Sequence, residues 1–287
     1  MRRILIKVHL WLALALGVYI VVISVSGSAV VFRGEITRWA IPRFVPDASG
    51  ERVEGDALAA VLAEAYPDDQ VVRFSEGRFP RQPVSVLLAR GGEERGRLFD
   101  PYALADMGSN FPPVVAVVEW LVSLHDDLLT YPIGRKINGI LGGLMLIVAV
   151  TGMILWWPGR KRWPQSLYGP PSSPRKIWHL HSAVGFWFCL LLVNWSLTSI
   201  YFAFPGPVED FRDRLDTDVS DFERPLEGLV NFLVEAHFGR FGGVWGRAAW
   251  VVIGLAPAVL FVSGFLIWWR QRQRRSAGRR AAQPKIA

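Results

Sequence analysis

The sequence predicts an all-α membrane bundle of four transmembrane helices in two pseudo-twofold repeats, with a small α+β domain inserted after the first helix. Three observations carry this: four apolar runs of membrane length, a charge balance that alternates along the chain, and a set of residues that recurs in register. Of 287 residues, 51% are hydrophobic and 13 are Trp, a composition that points away from an ordinary soluble domain.

The runs are Val8 to Phe32, Ile137 to Trp157, Ile177 to Phe204 and Ala248 to Trp269. Each lacks acidic residues, and each has the roughly 20 residues that a hydrocarbon core requires. The first is longer than the roughly 7 to 15 residues of a cleavable signal core, so it is expected to stay as an anchor. Segments 1–7, 158–176 and 270–287 hold 15 basic residues and no acid, whereas 33–136 and 205–247 carry all 25 acids against 17 bases. By the positive-inside rule both termini are cytoplasmic and the acid-containing segments lie outside. The pI of 9.9 therefore reports topology and excludes a nucleic-acid partner as its explanation. The tail "RQRQRRSAGRRAAQPK" reads as a solvated stop-transfer segment against anionic lipid.

These boundaries divide the chain in order. Residues 1–32 form the N-terminus and first span, 33–113 the inserted domain, 114–136 a surface helix and connection, and 137–157 the second span. Residues 158–176 form an inner loop, 177–204 the third span, 205–247 an outer loop with a second surface helix, 248–269 the fourth span and 270–287 the basic tail.

In the inserted domain, "DALAAVLAEAYPDDQVVRF" reads as a helix capped by Asp56 and ended by Pro67, then a strand from near Val71. "PVSVLLA" and "GRLFDPY" read as further strands. The domain has no His or Cys, which marks it as a binding or spacing module. From Pro112 to Leu129 the pattern is helical, with Val114, Val117, Val118, Leu121, Leu124, His125 and Leu128 on one face. From Leu226 to Gly239 it recurs, with Leu229, Val230, Leu233 and His237.

His125 and His237 head the repeat. From each, Gly-Arg follows at 9 and 10 residues (Gly134-Arg135, Gly246-Arg247), a hydroxyl-Gly pair at 26 and 27 (Thr151-Gly152, Ser263-Gly264) and Trp-Trp at 31 and 32 (Trp156-Trp157, Trp268-Trp269). A weaker echo joins the first and third spans. His9 is followed at 17 and 23 residues by Ser26 and Phe32, and His181 by Thr198 and Phe204. Two units of one topology imply a pseudo-twofold axis along the membrane normal. Rotation about it faces His9 to His181 near the cytoplasmic side and His125 to His237 near the outer side.

Four of the chain's five histidines fall at these equivalent places, and ionisable residues buried in a membrane are costly and usually functional. Facing imidazoles from separate helices hold b-type haem in helical bundles, because neutral nitrogens fill both axial positions. The expected haem ligands are thus His9 with His181 and His125 with His237, two haem b in all; His179 is left over. Arg135 and Arg247 at the outer ends have two open readings, partners of haem propionates or interface markers. Gly139 to Gly143, Gly152, Gly185, Gly254 and Gly264 suit close approach, whether of a macrocycle or of a neighbouring helix. The lone Cys189 is expected to be a buried small hydrophobe. No Cys-x-x-Cys-His occurs, so covalent c-type attachment is excluded. The Cys, His and Met clusters that zinc or copper would need are not visible either.

"HLWLALALGVYIVVISVSGSAVVFR", "GRKINGILGGLMLIVAVTGMILWWP", "HLHSAVGFW" and "AHFGRFGGVWGRAAWVVIGLAPAVLFVSGFLIWW" resemble the PepSY-associated transmembrane helix family of bacterial inner membranes. The resemblance covers nearly the whole chain, including a PepSY-like stretch from about Asp56 to Tyr102. It implies a haem-containing four-helix reductase, similar to reductases of iron-loaded siderophores, with its soluble domain in the periplasm. The family's histidines match His9, His125, His181 and His237. One departure is Leu10, where the family often has a basic residue.

Three functions are weighed on these grounds. In the first, a cytoplasmic or membrane donor sends electrons across the bilayer to a ferric complex in the periplasm, with ferric (siderophore) reductase activity. In the second, the chain is a non-redox accessory displaying a PepSY domain that binds proteins or restrains peptidases. A transporter is disfavoured by the lack of intramembrane acids and broken spans.

Overall fold

The computed structural model describes residues 1–157, 176–215 and 225–281. The expectations for the basic loop at 158–175, for 216–224 of the outer loop and for the last six residues of the tail lie outside them. In chain order the elements are α1 (Arg2–Ala15), α2 (Gly17–Ala29), α3 (Arg33–Ala40), α4 (Gly55–Ala65), β1 (Gln70–Ser75), β2 (Val84–Arg90), β3 (Glu93–Asp100) and β4 (Ala105–Ser109). There follow α5 (Pro113–Asp127), α6 (Ile133–Trp156), α7 (Lys176–Ala203), α8 (Pro205–Leu215), α9 (Pro225–Phe238), α10 (Gly243–Ile253) and α11 (Ala256–Ala281). Two compact units result: a helical one, Met1–Val31 with Leu121–Ala287, and a smaller one, Phe32–Trp120.

In the helical unit Ile133–Trp156, Lys176–Ala203 and Gly243–Ser276 are long and apolar enough to cross a membrane. The first expected span departs from a straight run. α1 and α2 meet at 61°, which makes a fourth crossing only if the bent pair counts as one span. At Gly17, the first residue of α2, the Phe261 ring occupies the space of a side chain, and a Cβ would stand 2.2 Å from it.

α6 packs along α7 and α1, and α11 packs along α7 and against α2. Small residues permit the close approach. A Cβ on Gly139 would lie 2.3 Å from Ala203 Cβ, one on Gly142 2.7 Å from Ser199 Oγ, and one on Gly254 2.5 Å from Ser28 Oγ. Gly134 and Gly246, the glycines nine residues past the two repeat histidines, face main chain. A Cβ there would sit 1.6 Å from the carbonyl oxygens of Asp127 and Phe241, respectively.

The smaller unit is an antiparallel sheet in the order β1-β2-β3-β4, with α4 against β1. β2 alternates, sending Val84, Val86 and Leu88 into a core with Leu58, Leu62, Tyr66 and Phe99, as the two-residue period of a half-buried strand requires. Val84 pairs with Phe99, and Leu88 with Arg95. After β3 the Asp100 carboxylate accepts the backbone N–H groups of Tyr102 and Ala103, which turns the chain into β4. Three local expectations are corrected. Glu54, not Asp56, is the N-cap of α4, and it makes no side-chain cap bond. β4 is a fourth strand, too polar in "ADMGS" to be read from alternation. In α5 the buried residues are Val115 and Val118, while Val114 and Val117 are exposed; this helix is apolar on more than one face, so packing chose the stripe.

Candidate functional site

α1 carries His9 and α7 carries His181. Their ring centroids lie 6.4 Å apart with planes at 83°. His125 near the end of α5 and His237 near the end of α9 make a second pair, again with centroids 6.4 Å apart and planes at 66°. Thus the four histidines singled out from sequence are brought together as two couples. His179 joins neither; its ring packs on Trp178 at 5.3 Å.

Each imidazole is held through Nδ1 by another helix. His9 Nδ1 lies 3.0 Å from the Val148 carbonyl oxygen and 3.3 Å from Thr151 Oγ1, both on α6. His181 Nδ1 lies 3.0 Å from the Leu260 carbonyl oxygen and 3.0 Å from Ser263 Oγ, both on α11. In the second pair, Ser26 Oγ of α2 is 3.2 Å from His125 Nδ1, and Thr198 Oγ1 of α7 is 2.6 Å from His237 Nδ1. With Nδ1 engaged, Nε2 is the nitrogen left for ligation.

Glycines beside the hydroxyls leave room for the rings. A Cβ on Gly27 would come 2.7 Å from His125 Cε1, on Gly152 3.0 Å from His9 Cε1, and on Gly264 3.1 Å from His181 Cε1. The hydroxyl-Gly pairs of the repeat are therefore contact surfaces for histidine. Sequence reading found them as a repeated feature without this role. It also passed over Asn138 and Trp250, which lie 13 residues beyond His125 and His237. Asn138 Nδ2 donates to the His125 carbonyl at 2.8 Å, and Trp250 Nε1 to the His237 carbonyl at 3.2 Å. Their equal spacing from the two histidines was a signal available in the sequence.

The arginines are placed differently from each other. Arg135 Nε donates to Asp127 Oδ1 at 2.9 Å, and its guanidinium lies 5.2 Å from the Tyr131 ring centroid. Arg247 is half-buried in α10. Cys189 is buried, with a free thiol. Among the described residues, no group of three or more His, Cys, Asp or Glu could hold a metal ion.

His181 and Thr198, the α7 contributions to the two pairs, are 17 residues apart. At a 1.5 Å rise per residue they are separated by about 25 Å of helix axis, close to the roughly 30 Å thickness of a hydrocarbon core. The two pairs thus mark opposite ends of one apolar helix.

The family model described as PepSY-associated TM region matches residues 6–221 and 212–271. The chain belongs to this family. No curated protein matches the chain. As a PepSY-associated TM protein with several apolar helices, it is a membrane protein, and the matched region includes all four paired histidines.

Proposed function

We propose that this protein is a di-haem b electron-transfer protein of the bacterial inner membrane, reducing a ferric complex such as a ferric siderophore on the periplasmic side. Both termini are then cytoplasmic, the smaller unit is periplasmic, and the two halves are pseudo-twofold repeats. The observation that carries the reading is the 6.4 Å centroid separation in both pairs. That separation leaves room for one metal ion between two imidazole nitrogens, each about 2 Å from it.

Other observations support the fit. Two histidines with no third His, Cys, Asp or Glu grouped with them among the described residues suit an iron whose remaining ligands come from a macrocycle. Asn194, one turn from Thr198 on α7, is 5% exposed, and neither of its amide atoms has a partner among the described residues. A buried amide of that kind fits a side chain completed by a bound group. The matched contacts of His9 with Thr151 and of His181 with Ser263 support the repeat.

His9 with His181 and His125 with His237 would hold the two haems, and the apolar helices around them would exclude water. Haem supplies, when bound, a one-electron Fe(III)/Fe(II) couple. The protein's own work is to hold imidazoles at both ends of the bundle in fixed orientation; no side chain needs to move a proton. In the net reaction a donor on the cytoplasmic side loses one electron, and the ferric substrate gains it. Fe(II) binds hard oxygen ligands more weakly than Fe(III), so reduction releases the metal. Arg135 is ion-paired with Asp127, so a propionate role for it would share the guanidinium with that carboxylate. Arg247 is the second candidate.

Visible spectra of the purified protein test the reading. A sharp Soret and α band on dithionite reduction, two haems per chain, and the loss of one in each of His9→Ala and His125→Ala are expected. Proteoliposomes with an internal reductant should then reduce an external ferric chelate. A colourless protein from haem-supplied cells would refute this and favour the non-redox accessory.

A further inference from the structure

The four hydroxyls that meet the histidines share a second contact. Ser26 Oγ donates to the Val22 carbonyl at 2.7 Å, Thr151 Oγ1 to Ile147 at 2.7 Å, Thr198 Oγ1 to Asn194 at 2.8 Å and Ser263 Oγ to Val259 at 2.7 Å. In every case the acceptor is the carbonyl four residues earlier in the same helix. A hydroxyl has one proton to give. Once that proton is directed along its own helix, the oxygen can only accept from the imidazole, so Nδ1 carries hydrogen and Nε2 carries the lone pair. For His9 and His181 a second fact requires the same tautomer, because the nearby Val148 and Leu260 carbonyls can only accept.

A serine or threonine inside an apolar helix often bonds back to its own carbonyl with no further role. That reading does not account for four hydroxyls on four different helices, each within 2.6 to 3.3 Å of a histidine Nδ1. Nor can water replace them readily, since Ser26, Thr151, Thr198 and Ser263 are 2%, 7%, 2% and 3% exposed.

We propose that Ser26, Thr151, Thr198 and Ser263 are positioning residues: each locks one imidazole as its Nδ1–H tautomer, presents Nε2 to the iron and sets the reduction potential of that site. The proposal rests on the haem reading above. A ligand whose far N–H is hydrogen-bonded is a stronger donor and favours the ferric form. Removing the acceptor therefore raises the potential of that pair alone.

The test uses the full-length protein in nanodiscs. Thr151→Val with Ser263→Ala alters the first pair, and Ser26→Ala with Thr198→Val alters the second. Thr151→Ser, Ser263→Thr, Ser26→Thr and Thr198→Ser serve as conservative controls. In the first-pair variant the Val148 and Leu260 carbonyls still take Nδ1–H, so the haem stays bound and its couple can be read. Potentiometric titration is expected to show the second-pair couple raised by about tenfold in the ferric/ferrous equilibrium, or about 59 mV for one electron, and the first-pair couple raised by less, because the Val148 and Leu260 carbonyls keep Nδ1–H bonded. Transfer of haem to apomyoglobin should accelerate by roughly 10 to 100-fold at the second pair when it is altered, and by less at the first. The controls should keep both wild-type couples. Coloured variants with wild-type couples and transfer rates would overturn this proposal alone, leaving the haem reading standing. A colourless wild type would overturn both.

Discussion

Gly27→Ala offers a graded test of how tightly the imidazoles are seated. The added Cβ would come 2.7 Å from His125 Cε1, whereas carbon atoms rest about 3.5 Å apart. The ring must then retreat by about 0.8 Å. Gly152→Ala and Gly264→Ala start from 3.0 and 3.1 Å against His9 and His181, so those rings need move only about 0.4 to 0.5 Å. A ligated metal tolerates about 0.2 Å in its bond lengths. All three therefore weaken a site, and Gly27→Ala does so most. If the two pairs hold haem as proposed, haem per chain, measured by pyridine haemochrome, should fall by about half in Gly27→Ala, with the His9/His181 site still loaded. The other two variants should retain more haem at the pair they touch. Full wild-type loading in Gly27→Ala, or a greater loss in Gly264→Ala, would refute this account of the ring seats.

Gly134→Ala and Gly246→Ala press a methyl on main-chain carbonyls that cannot swing aside. A loss of about 2 to 3 kcal/mol is expected in thermal unfolding of each solubilised variant. Phe99→Ala empties a fully buried position in the smaller unit. It should lower the hydrogen-exchange protection of β2 by about 3 to 5 kcal/mol and leave α6 and α7 unchanged. Burial pushes the Tyr66 phenol up to about 12, so the folded unit holds a proton that the unfolded chain loses near about 10. Stability of this unit should decline as pH rises from about 10 to about 12, and Tyr66→Phe should remove that decline in a pH series of exchange protection. Asp106, which burial alone would raise, is instead held below the usual carboxylate range, chiefly by the Arg97 guanidinium. Its contribution is present above about pH 3.9 and is lost as acid protonates it. Asp106→Asn should flatten the acid limb of the same series.

Hydropathy sufficed to place the second and third apolar helices, because it is a property of consecutive residues. Ile133–Trp156 and Lys176–Ala203 lie within a few residues of the runs read as the second and third spans. Val84, Val86 and Leu88 were legible as a strand by their alternation, whereas β4 had no such pattern. The repeat named the four histidines, since equal spacing in two halves is visible without coordinates. It did not say what Ser26, Thr151, Thr198 and Ser263 touch.

What the sequence alone determined is which stretches leave water and which residues recur, for a hydrocarbon layer selects on composition and length. Only tertiary structure decided the 61° bend at Leu16 and the commitment of Arg135 to Asp127. It alone also decided that Thr151, 142 positions along the chain from His9, shares a hydrogen bond with it. Helices that meet in a membrane are matched by shape and by unsatisfied polar groups, and neither is encoded in the local period of any one of them.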